Sequence, residues 1–561
     1  MEKLLSEKKV AREFQKRRHA DWDENYELYR NKVQTNRLTQ RQAVNIPLMK
    51  ETIKTLLSKI DEAPTVSFKE LSGNREKEII IEEKWNSDYE RLNFEGIDIQ
   101  DKKTVLTYGR GFKKLNFVDN GFELSALDIY DVVIDPLTNP LDIESARFLI
   151  HQNIFRSLRD ILADDRYTQE GKDKLKTYLS TSEGIIQSAQ NKEELAKKQE
   201  RLAAMGVNDS EFSTFGAGDL IVNLSEHYTK IWDSKKKKFV RYVCVYADDS
   251  TLLLKDTLDG LLGVDFWPLV SWGDDVETQD FWSDGPGDLV RTPNKVLNVW
   301  FSQMTENRTL KNFQMHWYDS GSQGYIPQTY EPGPGRMLPA PPGDVNATIK
   351  PVEVSGLDDT LTQIDFLIRL VEKGTSATAI EKGVSEKKQI TLGEVQMLVG
   401  QSKERMISMA KFYRRSWKEL AMKWYRIQEA NAPEKETLYK ISSKGKIWPK
   451  EISGKDWKSE KGYKVQVHST SEQEEEKTRG VQKMMFVKSQ FPDNLALAKV
   501  LQKRVLEILD LTTDELREVE EFERKKMEAP MIPPASGGPV MPGSMPGAQF
   551  MSSPPREAAA I

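Results

Sequence analysis

The sequence predicts an α+β protein organised around helices of unusual length. Two observations predict the helical part. A Pro- and Gly-rich segment lies between two helical patterns, and a third, much longer helical pattern ends near Asn431. A third observation predicts sheets, because apolar and polar residues alternate with a period of two both before and after this helical block. We therefore expect a helical spine joined to mixed α/β structure.

The first helix of the pair is predicted from Thr292, which can act as an N-cap, with Pro293 at the first helical position. Apolar residues then recur at helical spacing as far as Phe313. The density of Pro and Gly between Ser320 and Pro351 excludes a helix there and allows only short strands and turns. A return helix is predicted from Ser355 to Gly374, with acidic residues in its first turn.

The long helix is predicted to begin at Thr391, which forms a capping box with Glu394, and to end near Asn431. At 1.5 Å per residue it is a rod of roughly 60 Å. Trp417 and Trp424 lie seven residues apart on its apolar stripe. A single small domain cannot bury such a rod, so we expect it to pack on several elements or on neighbouring subunits.

The elements before and after this helical block are predicted from the spacing of apolar residues, which changes between a helical period and a period of two. Helices are expected at Glu2–Asn31, Lys50–Ile60, Ile154–Leu179 and Glu193–Met205, and strands at Thr104–Val118, Phe122–Leu127, Val132–Ile134, within His227–Asp256, and at Thr437–Ile441 and Tyr463–His468. Because the last two strands follow the long helix, a sheet domain could be assembled from both sides of it. The pattern from Glu472 to Met527 is helical, and the Pro- and Gly-rich segment after Ala529 predicts disorder.

Composition limits the classes of function. The chain has 82 Lys and Arg against 87 Asp and Glu, a formal net charge of −5, so no global basic field indicates nucleic-acid binding. No apolar run reaches the length of a membrane span, and the first ten residues lack the apolar core of a signal peptide, so we expect a cytoplasmic protein without a membrane partner. Cys244 is the single cysteine, which excludes disulfides within the chain and predicts a buried thiol.

Catalytic motifs are almost absent. There is no GxxxxGK[ST] phosphate loop and no nucleophile elbow, and the five histidines are far apart in the sequence. The acidic pairs Asp164-Asp165, Asp248-Asp249 and Asp274-Asp275 could hold Mg²⁺ for a nuclease, although turns and helix caps also favour Asp. We expect neither enzymatic activity nor a cofactor or metal.

Basic residues are clustered locally. Lys235 to Lys238 occupy a predicted hairpin tip, where a solvated turn is the ordinary interpretation and a phosphate or protein contact the alternative. Lys382, Lys387 and Lys388 alternate with glutamates in the polar stretch before the long helix.

The order of these elements resembles that of the portal proteins of tailed bacteriophages, also called head-to-tail connectors. The resemblance covers roughly Trp22 to His468, and its local matches are degenerate. These are Asn25-Tyr26 to Tyr29, Asn45-Ile46-Pro47, Tyr108-Gly109, Val133-Ile134-Asp135-Pro136, the Pro332–Pro342 segment and Tyr463-Lys464-Val465-Gln466-Val467.

The resemblance implies a domain plan with a stem, a clip and a wing. The expected parts are an N-terminal helical segment (1–60), the wing (61–283), stem helix 1 (284–313), the clip (314–351), stem helix 2 (352–373), the tunnel loop (374–390), the long spine helix (391–431), a return to the wing (432–470), a helical crown (471–528) and a disordered tail (529–561).

The resemblance also implies a function. A homo-oligomeric ring, expected to be a dodecamer, would occupy the unique capsid vertex and pass double-stranded DNA without sequence specificity. The implied partners are the terminase large subunit, which would hydrolyse ATP, the major capsid and scaffolding proteins, and later the head-completion or tail adaptor proteins. The protein would be assembled in the host cytoplasm and end in the virion.

The same resemblance implies roles for individual residues. Lys382, Lys387 and Lys388 would line the DNA channel, because a ring of subunits turns each lysine into a belt of positive charge. The basic candidates in the stem are Arg291, Lys295, Arg308 and Lys311. Trp417 and Trp424 would stabilise the spine or the oligomer.

Two other functions remain open from the sequence. One is an enzyme of head morphogenesis, such as a metal-dependent nuclease that uses the Asp pairs. The other is a helical scaffold or capsid protein without a channel.

Overall fold

The computed structural model describes residues 1–32, 35–36, 41–42, 44–60, 64–72, 74–118, 121–205, 219–234, 237–319, 335–340, 350–351, 360–375, 392–433, 435–441, 447–459, 461–468, 482–484 and 486. The chain divides into two compact units, Met1–Thr470 and Ser471–Ile561. In the second unit residues 482–484 are helical. All other elements below belong to the first unit.

The first unit has a mixed α+β fold with several sheets, which confirms the predicted fold class at this level. Its elements up to the middle of the chain are α1 (Glu2–Arg30), β1 (Thr35–Asn36), β2 (Arg41–Gln42), α2 (Leu48–Ile60), β3 (Thr65–Glu70), α3 (Arg75–Arg91), α4 (Phe94–Tyr108), β4 (Arg110–Val118), β5 (Gly121–Leu127), β6 (Val132–Ile134), β7 (Phe148–Ser157), α5 (Leu158–Ala163), α6 (Gln169–Leu179) and α7 (Ser182–Met205).

The second half contains three long helices and the shorter elements around them. The elements are β8 (Ile221–Asp233), β9 (Lys238–Ala247), β10 (Thr251–Thr257), α8 (Leu258–Leu262), β11 (Leu269–Gly273), α9 (Pro286–Asn312), β12 (His316–Asp319), β13 (Met337–Ala340), β14 (Lys350–Pro351), α10 (Thr360–Thr375), α11 (Leu392–Asn431), β15 (Lys435–Ile441), β16 (Ile447–Ser453), α12 (Gly454–Trp457) and β17 (Tyr463–His468).

The α/β part contains two larger antiparallel sheets. One has the strand order β10-β9-β8-β7-β6, and the other has the order β11-β4-β5. A separate antiparallel pair joins β3 to β17, with Val66 opposite Val467 and Phe68 opposite Val465. Because β3 precedes α11 and β17 follows it, the chain returns to its earlier part after the long helix, as the sequence predicted.

The N-terminal helix α1 lies on the core of this unit. Trp22 is fully buried, and its ring forms edge-to-face contacts with Tyr130 and Trp282 at centroid distances of 5.4 and 5.3 Å. Tyr26 and Tyr29 are also buried. These aromatic residues therefore fix α1 to the α/β core.

Two predicted boundaries in the α/β part were wrong. Thr104–Val118 was predicted as one strand, but α4 continues to Tyr108, and the strand begins only after Gly109, whose φ of 91° ends the helix. A run of β-branched and apolar residues fits either a strand or a buried helix, so the period alone did not distinguish them. Likewise Ile154–Ser157 belongs to β7 and not to a helix, after a bulge at Asn153, whose φ is 58°.

The predicted start of α9 was also wrong. The helix begins at Pro286 and not after Thr292, with the Asp288 carboxylate accepting a hydrogen bond from the N–H of Gly285 at 3.0 Å. Pro293 therefore lies inside the helix. Because proline has no N–H, the carbonyl of Leu289 has no helical donor at this position.

The helix predicted from Glu193 begins at Ser182, so that start was wrong as well. The bounds of the two helices after α9 agree more closely with the prediction. Helix α11 covers Leu392–Asn431, the predicted range. Helix α10 continues one residue past Gly374, to Thr375, and its predicted start at Ser355 lies outside the described residues.

Candidate assembly site: the long helix and the helix pair

The C-terminal half of α11 is inserted into the core through its aromatic residues. Trp417 and Trp424 are no more than 1% exposed. Trp85 of α3 contacts both indoles edge to face, with centroid distances of 6.2 and 5.1 Å, and Trp457 of α12 lies 5.7 Å from Trp424. This half of the helix is thus held by rings from elements before and after it in the chain.

The indole N–H groups of these tryptophans donate to buried carboxylates. Nε1 of Trp417 lies 3.2 Å from Oδ1 of Asp98, and Nε1 of Trp424 lies 3.1 Å from Oδ2 of Asp88. Two further side chains of α11 donate to the same carboxylates, Tyr413 to Asp98 at 2.5 Å and Gln428 to Asp88 at 2.9 Å. Buried Trp and Tyr need such partners, and Asp88 and Asp98 supply them.

A buried charge network lies beneath Tyr413 and Trp417. Asp98, Asp101, Lys102 and Lys113 are each no more than 2% exposed. Lys113 lies 3.1 Å from Asp98 and 2.7 Å from Asp101, and Lys102 lies 2.8 Å from Asp98. Burial alone would raise the pKa of Asp98, but Lys113 and Lys102 outweigh it and hold the pKa below its ordinary value.

Lys423 attaches the same helix to the three-stranded sheet. Its Nζ lies 2.7 Å from Oε1 of Glu144 and donates to the carbonyls of Trp267 and Leu269 at 3.0 and 2.7 Å. With three acceptors, this buried ammonium has no unfilled donor, so the position of α11 along the sheet is fixed.

Helix α9 is held at its N-terminal end by an unusual set of polar contacts. Asn294, Asn298 and Ser302 are spaced four residues apart on one face, and they accept hydrogen bonds from the backbone N–H groups of Met49, Ile46 and Val44 at 2.9, 2.8 and 3.1 Å. One face of α9 therefore satisfies the backbone of the segment that leads into α2. This contact fixes the direction in which α9 leaves the core.

Two of the four basic candidates in α9 form ion pairs with α1. Arg291 lies 3.2 Å from Asp21 and 2.9 Å from Asp288, and Lys295 lies 2.9 Å from Glu24. Their charges are therefore balanced within the chain. Arg308 and Lys311 occupy the last turns of α9, where both are exposed.

Helices α9 and α10 pack against each other, which buries one apolar stripe and leaves another in solvent. Ile364 and Val371 are 5% exposed, and they belong to the same apolar cluster as the partly buried Trp300 and Met304 of α9. Other apolar side chains of the two helices are exposed: Leu361 by 61%, Phe366 by 68%, Leu370 by 51% and Val299 by 53%. Exposed apolar residues at this density indicate a contact surface.

A small sheet lies between the two helices in the chain. Strand β12 pairs in parallel with β13 and antiparallel with β14. Strands β13 and β14 lie in the Pro- and Gly-rich segment for which the sequence allowed only short strands and turns, and β12 directly precedes it. Most of that segment lies outside the described residues.

Several predicted site residues also lie outside the described residues. These are Lys382, Lys387 and Lys388, together with Lys235 and Lys236 of the hairpin tip. Lys237 is exposed in the turn between β8 and β9, and Lys238 is exposed at the first position of β9.

The acidic pairs are engaged in structural contacts. Asp164 forms ion pairs with Arg156 and Arg166, and Asp248 accepts hydrogen bonds from the side chain of Asn191 and the N–H of Asn223. Burial, with the neighbouring Asp275, raises the pKa of Asp274 to about 7. Within the described residues, no three His, Cys, Asp or Glu side chains are placed to hold a metal ion.

The structure also bears on two expectations from composition. Cys244 is 2% exposed in β9, and burial raises the pKa of its thiol, as predicted for an inert cysteine. No helix in the described part of the chain is long and apolar enough to cross a bilayer.

No model of a known protein family matches the chain, and no curated protein sequence is significantly similar to it.

Proposed function

We propose that this chain is a subunit of a ring-shaped portal through which double-stranded DNA enters and leaves a phage capsid. The observation that carries the proposal is the succession α9, small sheet, α10 and α11. Two helices that pack together flank a short sheet in the chain, and a helix of 40 residues begins after residues 376–391. Such a succession suits a projecting stem and a spine better than it suits a catalytic pocket.

The exposed stripe of α10 supports assembly into a ring. Phe366 and Leu370 are one helical turn apart, so they share a face, and Ile364 and Val371 on the other side already pack on α9. In a closed ring the exposed face of one stem would lie against the next stem. In a stem that contacted no other subunit, this second apolar face would stay exposed to water.

The charge pattern supports passive transport of DNA. A conduit must hold the duplex loosely, since many phosphate contacts would slow its sliding, and it must ignore base sequence. The chain has a net charge of −5, and Arg291 and Lys295 are neutralised by ion pairs. The positive charge that could contact DNA is therefore confined to a few positions. Lys382, Lys387 and Lys388, repeated around a ring, would provide a weak belt of contacts. A terminase large subunit would supply ATP hydrolysis, and capsid, scaffolding and tail adaptor proteins would bind the outer surfaces.

Electron microscopy and light scattering of the purified protein test the proposal. We expect rings with a central hole and a particle mass many times the 64.3 kDa of one chain. A monomer that cleaves DNA only with Mg²⁺ would favour a nuclease that uses the Asp pairs. Assemblies without a hole would favour a helical scaffold or capsid protein. Either result would reject the portal assignment.

A further inference from the structure

A second site is present in the α/β part, away from the helix pair. A cavity of about 360 Å³ opens between α1 and α7, and residues of β7 and Tyr130 form its floor. Five of its lining side chains are cationic, and one, Glu194, is a carboxylate. The cations are Arg12, Lys16, Lys197, Lys198 and Arg201. On a chain with a net charge of −5, this excess of positive charge is local.

Three of the five cations already have partners in the walls. Lys198 lies 2.7 Å from Asp131, Arg201 lies 3.2 Å from Asp128, and Nε of Arg12 donates to Oε1 of Gln152 at 2.8 Å. Arg12 also lies 4.0 Å from Asp249, which is shared with Lys8. These contacts fix the three side chains in place.

The other two cations, Lys16 and Lys197, are exposed and form no ion pair within the described residues. One projects from each of the two helices that flank the cavity. The cavity therefore has fixed cations in its walls and two adjustable ammonium groups at its rim. Burial lowers the pKa of His19, so its imidazole is neutral near pH 7 and adds no charge.

The floor is rigid because its polar groups are hydrogen-bonded. Nε2 of Gln15 donates to the carbonyls of Ile129 and Val132 at 2.8 and 2.7 Å, and Nε2 of Gln152 donates to the carbonyl of Tyr130 at 2.9 Å. A site whose groups are held before binding loses less free energy in ordering them.

We propose that this cavity binds a small phosphate-bearing anion. Phosphate oxygens are the acceptors that Arg and Lys recognise best, and Arg12 and Lys16 of α1 and Lys197 of α7 supply donors from both helices that flank the floor. Tyr130 is 9% exposed and Phe155 is 3% exposed, so the floor offers little aromatic surface for a base to stack on. The volume suits phosphate or diphosphate and excludes a duplex.

Isothermal titration calorimetry of the full chain tests this site. Inorganic phosphate is the probe in one arm, diphosphate in a second and a short DNA duplex in a third. We expect saturable binding of the small anions, and binding that is about tenfold or more weaker in K16Q/K197Q, because the loss of one charged hydrogen bond, about 1.4 kcal/mol, already corresponds to a tenfold change. K16R/K197R keeps both charges and should retain most of the affinity.

The matched control is K9Q/K192Q. Lys9 and Lys192 are exposed on the same two helices, but they do not line the cavity, so this variant should bind as the wild type does. Thermal melting should be the same for all variants, since the substituted lysines are exposed. Equal affinity of the two glutamine variants, or the absence of saturable anion binding, would reject the site. A duplex that binds and is lost with K16Q/K197Q would make this a DNA surface and overturn the small-anion proposal.

Discussion

Buried carboxylates of α3 and α4 replace water as acceptors for the side chains of α11. Asp98 accepts from Tyr413 and Trp417 and is paired with Lys102 and Lys113. Taking a carboxylate out of water costs several kcal/mol, and the two ammonium groups offset that cost only while the whole set is present. Removing one charged side chain of this network therefore destabilises the protein mainly because an opposite charge stays buried without its partner.

We expect Asp98→Asn to lower the free energy of unfolding by about 3 to 5 kcal/mol, because the buried Lys102 then loses its carboxylate partner and the buried Lys113 keeps only Asp101. Chemical denaturation followed by tryptophan fluorescence measures the loss. The control is Asp165→Asn at an exposed position, which should change stability by less than about 0.5 kcal/mol.

The difference in stability between the wild type and Asp98→Asn should depend on pH, because the pKa of Asp98 is lowered in the folded protein. A depressed folded-state pKa gives stability that is present above the unfolded value, about 3.9, and is lost as the pH falls through the folded value. The wild type should therefore lose its advantage over Asp98→Asn in strong acid. A constant difference through that range would show that Asp98 is not ionised in the native state.

Trp417→Ala and Trp424→Ala should each cost about 3 to 5 kcal/mol, since both indoles are buried in the core. Trp417→Phe keeps most of the apolar area but loses the N–H donor to Asp98, so a smaller loss of about 1 to 3 kcal/mol is expected. Trp232→Ala is the control, because Trp232 is 52% exposed. Melting temperatures that do not distinguish the buried positions from Trp232 would contradict this role for α11.

At the scale of elements, the long helices were the most predictable features. The apolar residues of α11 keep a helical spacing over 40 residues, and no pattern of β-strands produces that spacing. The sequence was ambiguous where short apolar runs fit two structures, as at Thr104–Tyr108. Strands β3, β11 and β16 and helix α3 were missed, because each is short or lacks a clear period and is stabilised by distant partners.

The contacts of the site were less predictable than its helices. Asp88 and Asp98 occupy helices whose patterns resemble solvated ones, and their partners on α11 lie more than 300 residues away in the chain. Sequence spacing carries no information about such pairs. Arg291 and Lys295 show the reverse case, since basic residues that suggested DNA contacts have acidic partners on α1.

The helix pair gives a prediction about assembly. Phe366→Ser with Leu370→Ser removes two exposed apolar side chains, each worth about 1.5 to 3 kcal/mol when buried in an interface. We expect a lower assembled mass in size-exclusion chromatography with light scattering, and an unchanged melting temperature for the chain itself.

The matched control for assembly is Thr362→Ser with Gln363→Ser, at exposed polar positions of the same helix. Rings of wild-type mass in both double variants would show that this face of α10 is not a subunit contact. The ring itself would then require another interface.

In the molecule as a whole, the distribution of charge determines where DNA could make contact. The chain is slightly acidic, and the positive side chains at the base of α9 are neutralised by α1. A conduit made of such subunits would repel the duplex from most of its wall and touch it only where unpaired lysines are repeated around the ring. The cationic cavity between α1 and α7 is a different kind of site, because five cationic side chains line one cavity within a single chain.

The function of the lysines before α11 is the last prediction. Lys382, Lys387 and Lys388 lie outside the described residues, between α10 and α11 in the chain. If this segment lines the narrowest part of a channel, changing all three to Ala should leave ring mass unchanged and alter DNA packaging or retention. The effect should depend on salt, because phosphate contacts release counterions.

Packaging assays with procapsids and motor, run at several salt concentrations, measure this effect. The control triple variant changes Lys9, Lys192 and Lys464 to Ala; all three are exposed lysines of the first unit and lie outside that segment. It removes the same charge and should package as the wild type does. Equal yield and equal retained genome length for both triple variants at every salt concentration would remove the three lysines from the mechanism. The ring would then have to guide DNA by its shape and its acidic field alone.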